Sequence, residues 1–172
     1  MLNQNPEQIA RDQIDKQLSE CGWIIQNKQK INLHAGLGVA VREYQTDVGP
    51  ADYVLFVGGK PVGIIEAKRE EEGQKFSVHE TQVEEYAKAK LKLINNEPLP
   101  FLYLSTGAIA RFADTRDPKP RFREIFTFHR PEGLQSWLRK DKSLRRRMAE
   151  DMPALITTGL RDCQIDAITK LQ

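Results

Sequence analysis

The sequence predicts an α/β fold: a mixed β-sheet in which an antiparallel meander joins a parallel strand, with helices flanking it. Three observations carry this. First, YVLFV (53–57) and PVGII (61–65) are rich in β-branched and aromatic residues, too short for helices, and separated by Gly58-Gly59, as in a hairpin. Second, an apolar run bounded by Pro and Gly at 100–107 follows a segment of helical character, and strand, helix, strand at this spacing is a crossover that makes the two strands parallel. Third, apolar residues recur at helical steps in 6–20 (Ile9, Ile14, Leu18) and in 77–94 (Val83, Ala87, Leu91, Ile94). With 172 residues the chain can bury one good core.

In chain order, a first helix covers residues 6–20, and Gly22 stops it. Glu7 and Arg11 stand one turn apart there, the spacing of an intrahelical ion pair. Trp23-Ile24-Ile25 reads as a short strand, 26–38 as a polar connection, and Val39 to Tyr44 as the strand leading into the hairpin. In that strand Arg42 and Glu43 are expected on opposite faces. The helix over 77–94 has Ser77 as cap and Glu80 three residues on as its capping-box partner. After the strand at 100–107, Arg111-Phe112-Ala113 and residues 125–128 form short strands about the turn-rich DTRDPKP. A helix over 131–140 begins with Pro in its first turn, and a basic cluster follows: Arg139, Lys140, Lys142, Arg145, Arg146 and Arg147. That cluster is either a solvated helix face or a contact for a DNA backbone or a partner.

Several classes are excluded at this level. No apolar run approaches the roughly 20 residues that span a bilayer, and the first residues, MLNQNPEQIARDQ, have no apolar signal region. The expectation is a cytoplasmic protein without a membrane partner. Cys21 and Cys163 lie far apart without metal spacing and are expected as reduced thiols. His34, His79 and His129 are scattered and make no zinc site. A net charge of +2 is too small to argue nucleic-acid binding, so any such contact must come from a local cluster.

The stretch with the most chemistry is GPADYVLFVGGKPVGIIEAKREEEGQKFSVHETQVEEYA (49–87). Asp52 opens one apolar run and Glu66-Ala67-Lys68 closes the other. Register decides whether they meet. If Val57 pairs with Lys60 across a two-residue turn, Asp52 falls opposite Ile65 and Glu66 faces the other way. If Val57 pairs with Pro61 across Gly58-Gly59-Lys60, Asp52 lies opposite Glu66, and Glu66 and Lys68 share its face. Cross-strand Cβ atoms about 4.5–5.5 Å apart would then suit oxygen ligands around one divalent cation. A solvated ion-pair cluster is the alternative. Gln82 and Tyr86 are four residues apart and share one face of the helix that follows.

P-x-D, apolar-ExK and then Q-x-x-x-Y resemble the PD-(D/E)XK nuclease superfamily in its RecB-like branch. VREYQTDVGPADYVLFVGGKPVGIIEAKRE and FLYLSTGAIARFADTRDPKPRFREIFTFHRPEGL resemble, more closely, the amino-terminal nuclease domain of the restriction (motor) subunit of type I restriction-modification enzymes. The resemblance runs from about Glu7 to the end. It implies a restriction-endonuclease-like sheet and Mg²⁺-dependent (or Mn²⁺-dependent) cleavage of double-stranded DNA. Asp52, Glu66, Lys68, Gln82 and Tyr86 would be the catalytic residues, with Asp52, Glu66 and the Ala67 carbonyl on the metal. Glu7, Arg42 and Glu43 would support: Glu7 as an acid near the metal, Arg42 on a DNA phosphate, Glu43 on a nearby cation. A structural salt bridge competes for the last two. Implied partners are the methyltransferase and specificity subunits.

TTGLRDCQIDAITKLQ resembles the glutamine-bearing segment before the motor core of superfamily 2 helicases, with Gln164 at the adenine-reading position. No GxxxxGK[ST] occurs in the sequence. The expectation is a nuclease domain over 1–152, then a linker and the start of a motor domain over 153–172, with ATP handled by a part of the protein outside this chain. The competing reading is a nuclease-like module that docks DNA or a subunit without cutting.

Overall fold

A computed structural model describes residues 6–46, 49–68, 99–151 and 153–171. Helix α1 (Pro6–Glu20) is followed by strands β1 (Ile24–Asn27), β2 (Gly38–Thr46), β3 (Gly49–Val57), β4 (Lys60–Ala67), β5 (Phe101–Ser105), β6 (Ala110–Asp114) and β7 (Arg123–Ile125). Helices α2 (Pro131–Leu138), α3 (Leu144–Glu150) and α4 (Asp162–Leu171) complete the described elements. The strands form one seven-stranded sheet in chain order. β1 pairs parallel with β2 and β4 with β5, while the other neighbours are antiparallel. This is the expected meander, β2 to β4, joined to a parallel strand. The expected helix over 77–94 lies outside the described residues.

The central strands are apolar on both faces and so read as continuous runs rather than alternating ones. β5 is buried at every position. Ile14 and Leu18 of α1, with Leu134 of α2, cover one face over Tyr53, Leu55, Ile65, Phe101 and Tyr103. Val41, Val54, Phe56, Ile64, Leu102 and Leu104 form the other core. The last strand differs from expectation. Pairing with β6 uses Arg123 to Ile125, Phe126 is left fully exposed, and the chain then turns so that Phe128 packs on Tyr103. Burial of that one ring outweighs continuing a marginal edge strand.

His129 is fixed in this packing. Its Nδ1 lies 2.8 Å from the Tyr103 hydroxyl, and its ring meets Phe112 and Trp137 with centroids 4.5 and 4.8 Å away. Burial lowers its pKa below the ordinary 6.5. The fold therefore prefers neutral imidazole, and the unfolded chain takes up the proton first as pH falls. Stability is complete above the ordinary value and is lost as pH falls from there towards the lower folded value. Melting temperature measured from about pH 7.5 to about pH 5 should drop, and His129→Gln should flatten that part of the profile.

Candidate functional site

The hairpin sets the geometry. Gly58 and Gly59 have φ of +56° and +78°, both in the region a primed two-residue turn requires, and Val57 pairs with Lys60. That is the two-residue turn, which on a regular ladder would send Glu66 to the wrong face. The ladder is not regular. Pairing steps from Phe56↔Pro61 to Leu55↔Gly63, then runs to Tyr53↔Ile65. The extra residue, Val62, is a β-bulge, and continuing the shifted register by one step sets Asp52 opposite Glu66. The two carboxylates thus meet by a different route from the three-residue turn.

Asp52 is held at both oxygens. Its Oδ2 accepts the Ala67 N–H at 2.9 Å, and its Oδ1 accepts from Arg11 Nη2 at 2.6 Å. Glu66 is buried, and its Oε1 accepts from Lys68 Nζ at 2.9 Å. The Lys68 N–H in turn donates to the Ser105 carbonyl at 2.8 Å, which ties the end of β4 to β5. Burial raises the Glu66 pKa, the Asp52 charge raises it further, and Lys68 and Arg11 oppose the rise. The Asp52, Glu66 and Lys68 side chains therefore act on one another electrostatically.

Further charged groups reach this end of the sheet from α1 and β2. Arg42 donates to Asp15 through Nε and Nη2, and the Tyr53 hydroxyl donates to Asp15 at 2.8 Å. Burial pushes the Tyr53 phenol well above its ordinary range, with the Asp15 charge adding to it. Glu43 pairs with Lys28 at 3.1 Å and with Arg11 at 3.7 Å, and the bond to Lys28 lowers its carboxyl. Arg42 and Glu43 were expected on opposite faces, yet both reach residues of α1. The cause is local: Glu43 takes φ +50°, and the Glu43–Asp52 step is missing from the otherwise regular β2–β3 ladder. Such a backbone costs on the order of 1–3 kcal/mol and is kept only where its surroundings enforce it. A cleft of about 370 Å³ opens here, between α1, the β1–β2 end and Asp52.

Of the expected site residues, the structure brings together Asp52, Glu66, Ala67 and Lys68 and places Arg42 and Glu43 beside them. Glu7 lies in α1, but its side chain, like all of Gln82 and Tyr86, falls outside the described residues. Gln164 is exposed in the first turn of α4, where its Oε1 accepts the Arg161 N–H at 3.0 Å. Arg11, Asp15, Lys28 and Tyr53 were missed. A signal for two of them existed: Arg11 and Asp15 directly follow the buried Ala10 and Ile14 of α1, so they flank its apolar stripe. Arg11 reaches across to Asp52; the expected pairing with Glu7 lies outside the described residues.

Among the described residues no group of three or more His, Cys, Asp or Glu is placed to hold a metal ion. The donor set at hand is the two carboxylates of Asp52 and Glu66. That suits a hard divalent cation such as Mg²⁺, which takes one or two carboxylates and keeps several waters. Arg11 and Lys68 supply positive charge to the same carboxylates.

A family model of the type I restriction enzyme EcoKI endonuclease subunit second domain matches residues 25–101, a stretch that contains Asp52, Glu66, Lys68, Gln82 and Tyr86. The type I restriction enzyme EcoKI endonuclease subunit of Escherichia coli (strain K12) is 26% identical over an alignment 216 positions long, gaps included, that covers 96% of this chain and 18% of that subunit. This chain thus spans less than a fifth of the relative's length. The solved type IIG restriction endonuclease BpuSI superimposes with a TM-score of 0.44 and 18% identity over 65% of this chain and 11% of that one. In sequence the chain is therefore similar to the endonuclease subunit of type I restriction enzymes, over a region that includes Asp52, Glu66 and Lys68.

Proposed function

We propose that this chain is a Mg²⁺-dependent endonuclease domain that hydrolyses DNA phosphodiester bonds within a type I restriction complex. The observation that carries the reading is the meeting of Asp52, Glu66 and Lys68 at the end of β4, achieved through a bulge that costs the sheet regular pairing. A bound Mg²⁺, or Mn²⁺ in its place, supplies Lewis-acid polarisation of the phosphoryl oxygen and a water of lowered pKa. Asp52 and Glu66 would hold it, with the Ala67 carbonyl as third ligand by family resemblance. Arg11 and the Ala67 N–H fix the rotation of the Asp52 carboxylate, so the ligand is oriented in advance. Lys68 places an ammonium where charge develops on the phosphoryl group. Gln82 would hold the scissile phosphate or a water, and Tyr86 would donate its hydroxyl to the same region.

The wider assignments rest on similarity to the type I subunit. Methyltransferase and specificity subunits would choose the DNA site. ATP would be consumed by a motor domain, with Gln164 reading adenine. The test is nicking and linearisation of supercoiled DNA, with and without Mg²⁺ or Mn²⁺, by this chain in the assembled complex. Asp52→Asn, which keeps the shape and one acceptor for the Ala67 N–H, should abolish cutting and leave complex assembly intact. Metal-independent cutting, or cutting by Asp52→Asn at the parent rate, would remove the assignment.

A further inference from the structure

The basic cluster after α2 takes no part in the carboxylate site, and the fold gathers it with other cations into a groove of about 500 Å³ between β6, β7, α2 and α3. Arg116, Arg123, Lys140, Lys142, Arg145 and Arg147 line it, against Asp114, Asp117 and Glu124. Two of those carboxylates are buried and serve as anchors. Asp114 takes Arg116 as a fork, Oδ1 to Nε at 2.9 Å and Oδ2 to Nη2 at 2.7 Å. Asp117 lies 3.6 Å from Arg123 Nη1 and 3.4 Å from Arg145 Nε. Three guanidinium groups are thus positioned from inside, and the groove keeps an excess of positive charge. Arg147 adds a buried Nε for which the described residues provide no hydrogen-bond partner. An anionic oxygen would satisfy such a charged donor well.

From this geometry we infer that the groove is a second DNA contact, a phosphodiester-backbone site separate from the cutting centre. Guanidinium forks match phosphate oxygens, and four arginines arriving from three separate segments suit a spread row of phosphates rather than one small ion. Its place in the sheet fits: Asp114 pairs with Phe101, whereas Lys68 bonds Ser105 at the other end of β5. The two sites thus lie towards opposite ends of that strand, which is about 13 Å long. Duplex DNA as the ligand rests on the nuclease reading; an anionic backbone as the ligand rests on the groove alone.

Fluorescence anisotropy of a labelled duplex in EDTA, over a range of salt, separates holding DNA from cutting it. Arg145→Gln/Arg147→Gln in the complete protein should weaken binding about tenfold and reduce the slope of log affinity against log salt by about two. Arg145→Lys/Arg147→Lys, which keeps the charge, should retain the slope, and an unchanged melting temperature in both variants shows that the fold is intact. Parent affinity and slope in the glutamine variant would overturn the inference. So would displacement of the duplex by millimolar inorganic phosphate, which marks a free-phosphate site, or binding of a polyglutamate peptide as tight as the duplex. If Asp52 and Lys68 prove irrelevant to cutting while the glutamine variant still loses DNA, the nuclease reading fails and the groove stands.

Discussion

Lys68→Ala is expected to cut DNA at least about 10³-fold more slowly than the parent, the scale on which a single preorganised electrostatic donor matters in a transition state. It should also lower the stability of the metal-free protein, by roughly 3 kcal/mol, because it leaves the buried Glu66 carboxylate without the Nζ at 2.9 Å. Glu66→Gln should lose cutting as completely and yet raise metal-free stability. The sign follows from the pKa direction. Burial and the Asp52 charge raise the Glu66 carboxyl above its ordinary 4.5, so the fold favours the protonated form. The unfolded chain ionises first as pH rises, and stability is lost from the ordinary value upward until the raised folded value is passed. At neutral pH, without metal, Glu66 therefore costs stability and glutamine does not. Calorimetric melting in EDTA, and again with Mn²⁺, reads both effects. The parent should gain with metal, and Glu66→Gln should gain little. Opposite shifts from two variants that both stop cutting would separate a cation site from a plain surface ion pair, where neither change would move the melting temperature much.

Much of the fold is legible in the residues, for identifiable reasons. α1 begins and ends where its apolar period and Gly22 place it, and the β2–β4 meander and parallel β5 follow from apolar runs punctuated by Gly and Pro. The site residues on the hairpin are legible as types at strand ends. Their meeting is not, because it depends on Val62 being an extra residue in the ladder; Pro61 and Gly63 beside it are residues that often mark a bulge, but they do not fix which residue is extra. The strand rule fails at Glu43: Arg42 shares the α1 face with Ala40, and one positive φ brings Glu43 to that side as well. Arg11 and Asp15 look like ordinary polar positions of an amphipathic helix. Only the packing of α1 over Tyr53 brings them to Asp52 and Arg42. Local chemistry thus identifies the acids and the lysine, while long-range packing supplies the cations that hold them.

The other large effect is expected at a glycine that carries no chemistry. Gly63 sits where β4 meets β5, paired with Phe101, and a Cβ built there lies 2.7 Å from the Phe101 carbonyl oxygen and 3.1 Å from the Phe101 Cβ. The first of these is backbone, so no rotamer change relieves the clash, and the strands must separate. Gly63→Ala should cost about 2–3 kcal/mol, the upper part of the range for overpacking a dense core and a large share of a typical domain's 5–15 kcal/mol. It should also impair cutting, since Ser105 at the far end of β5 accepts the Lys68 N–H and moves with its strand. Gly133→Ala is the matching control. That position lies inside α2, where the added Cβ meets nothing within 4 Å beyond its chain neighbours and the helix's own backbone, so alanine should raise stability by about 0.5–1 kcal/mol through helix propensity. Urea unfolding of the two variants reads the contrast directly. A neutral Gly63→Ala would mean that β4 and β5 are not packed at this spacing, and the placement of Lys68 beside Glu66 would lose its support from the sheet.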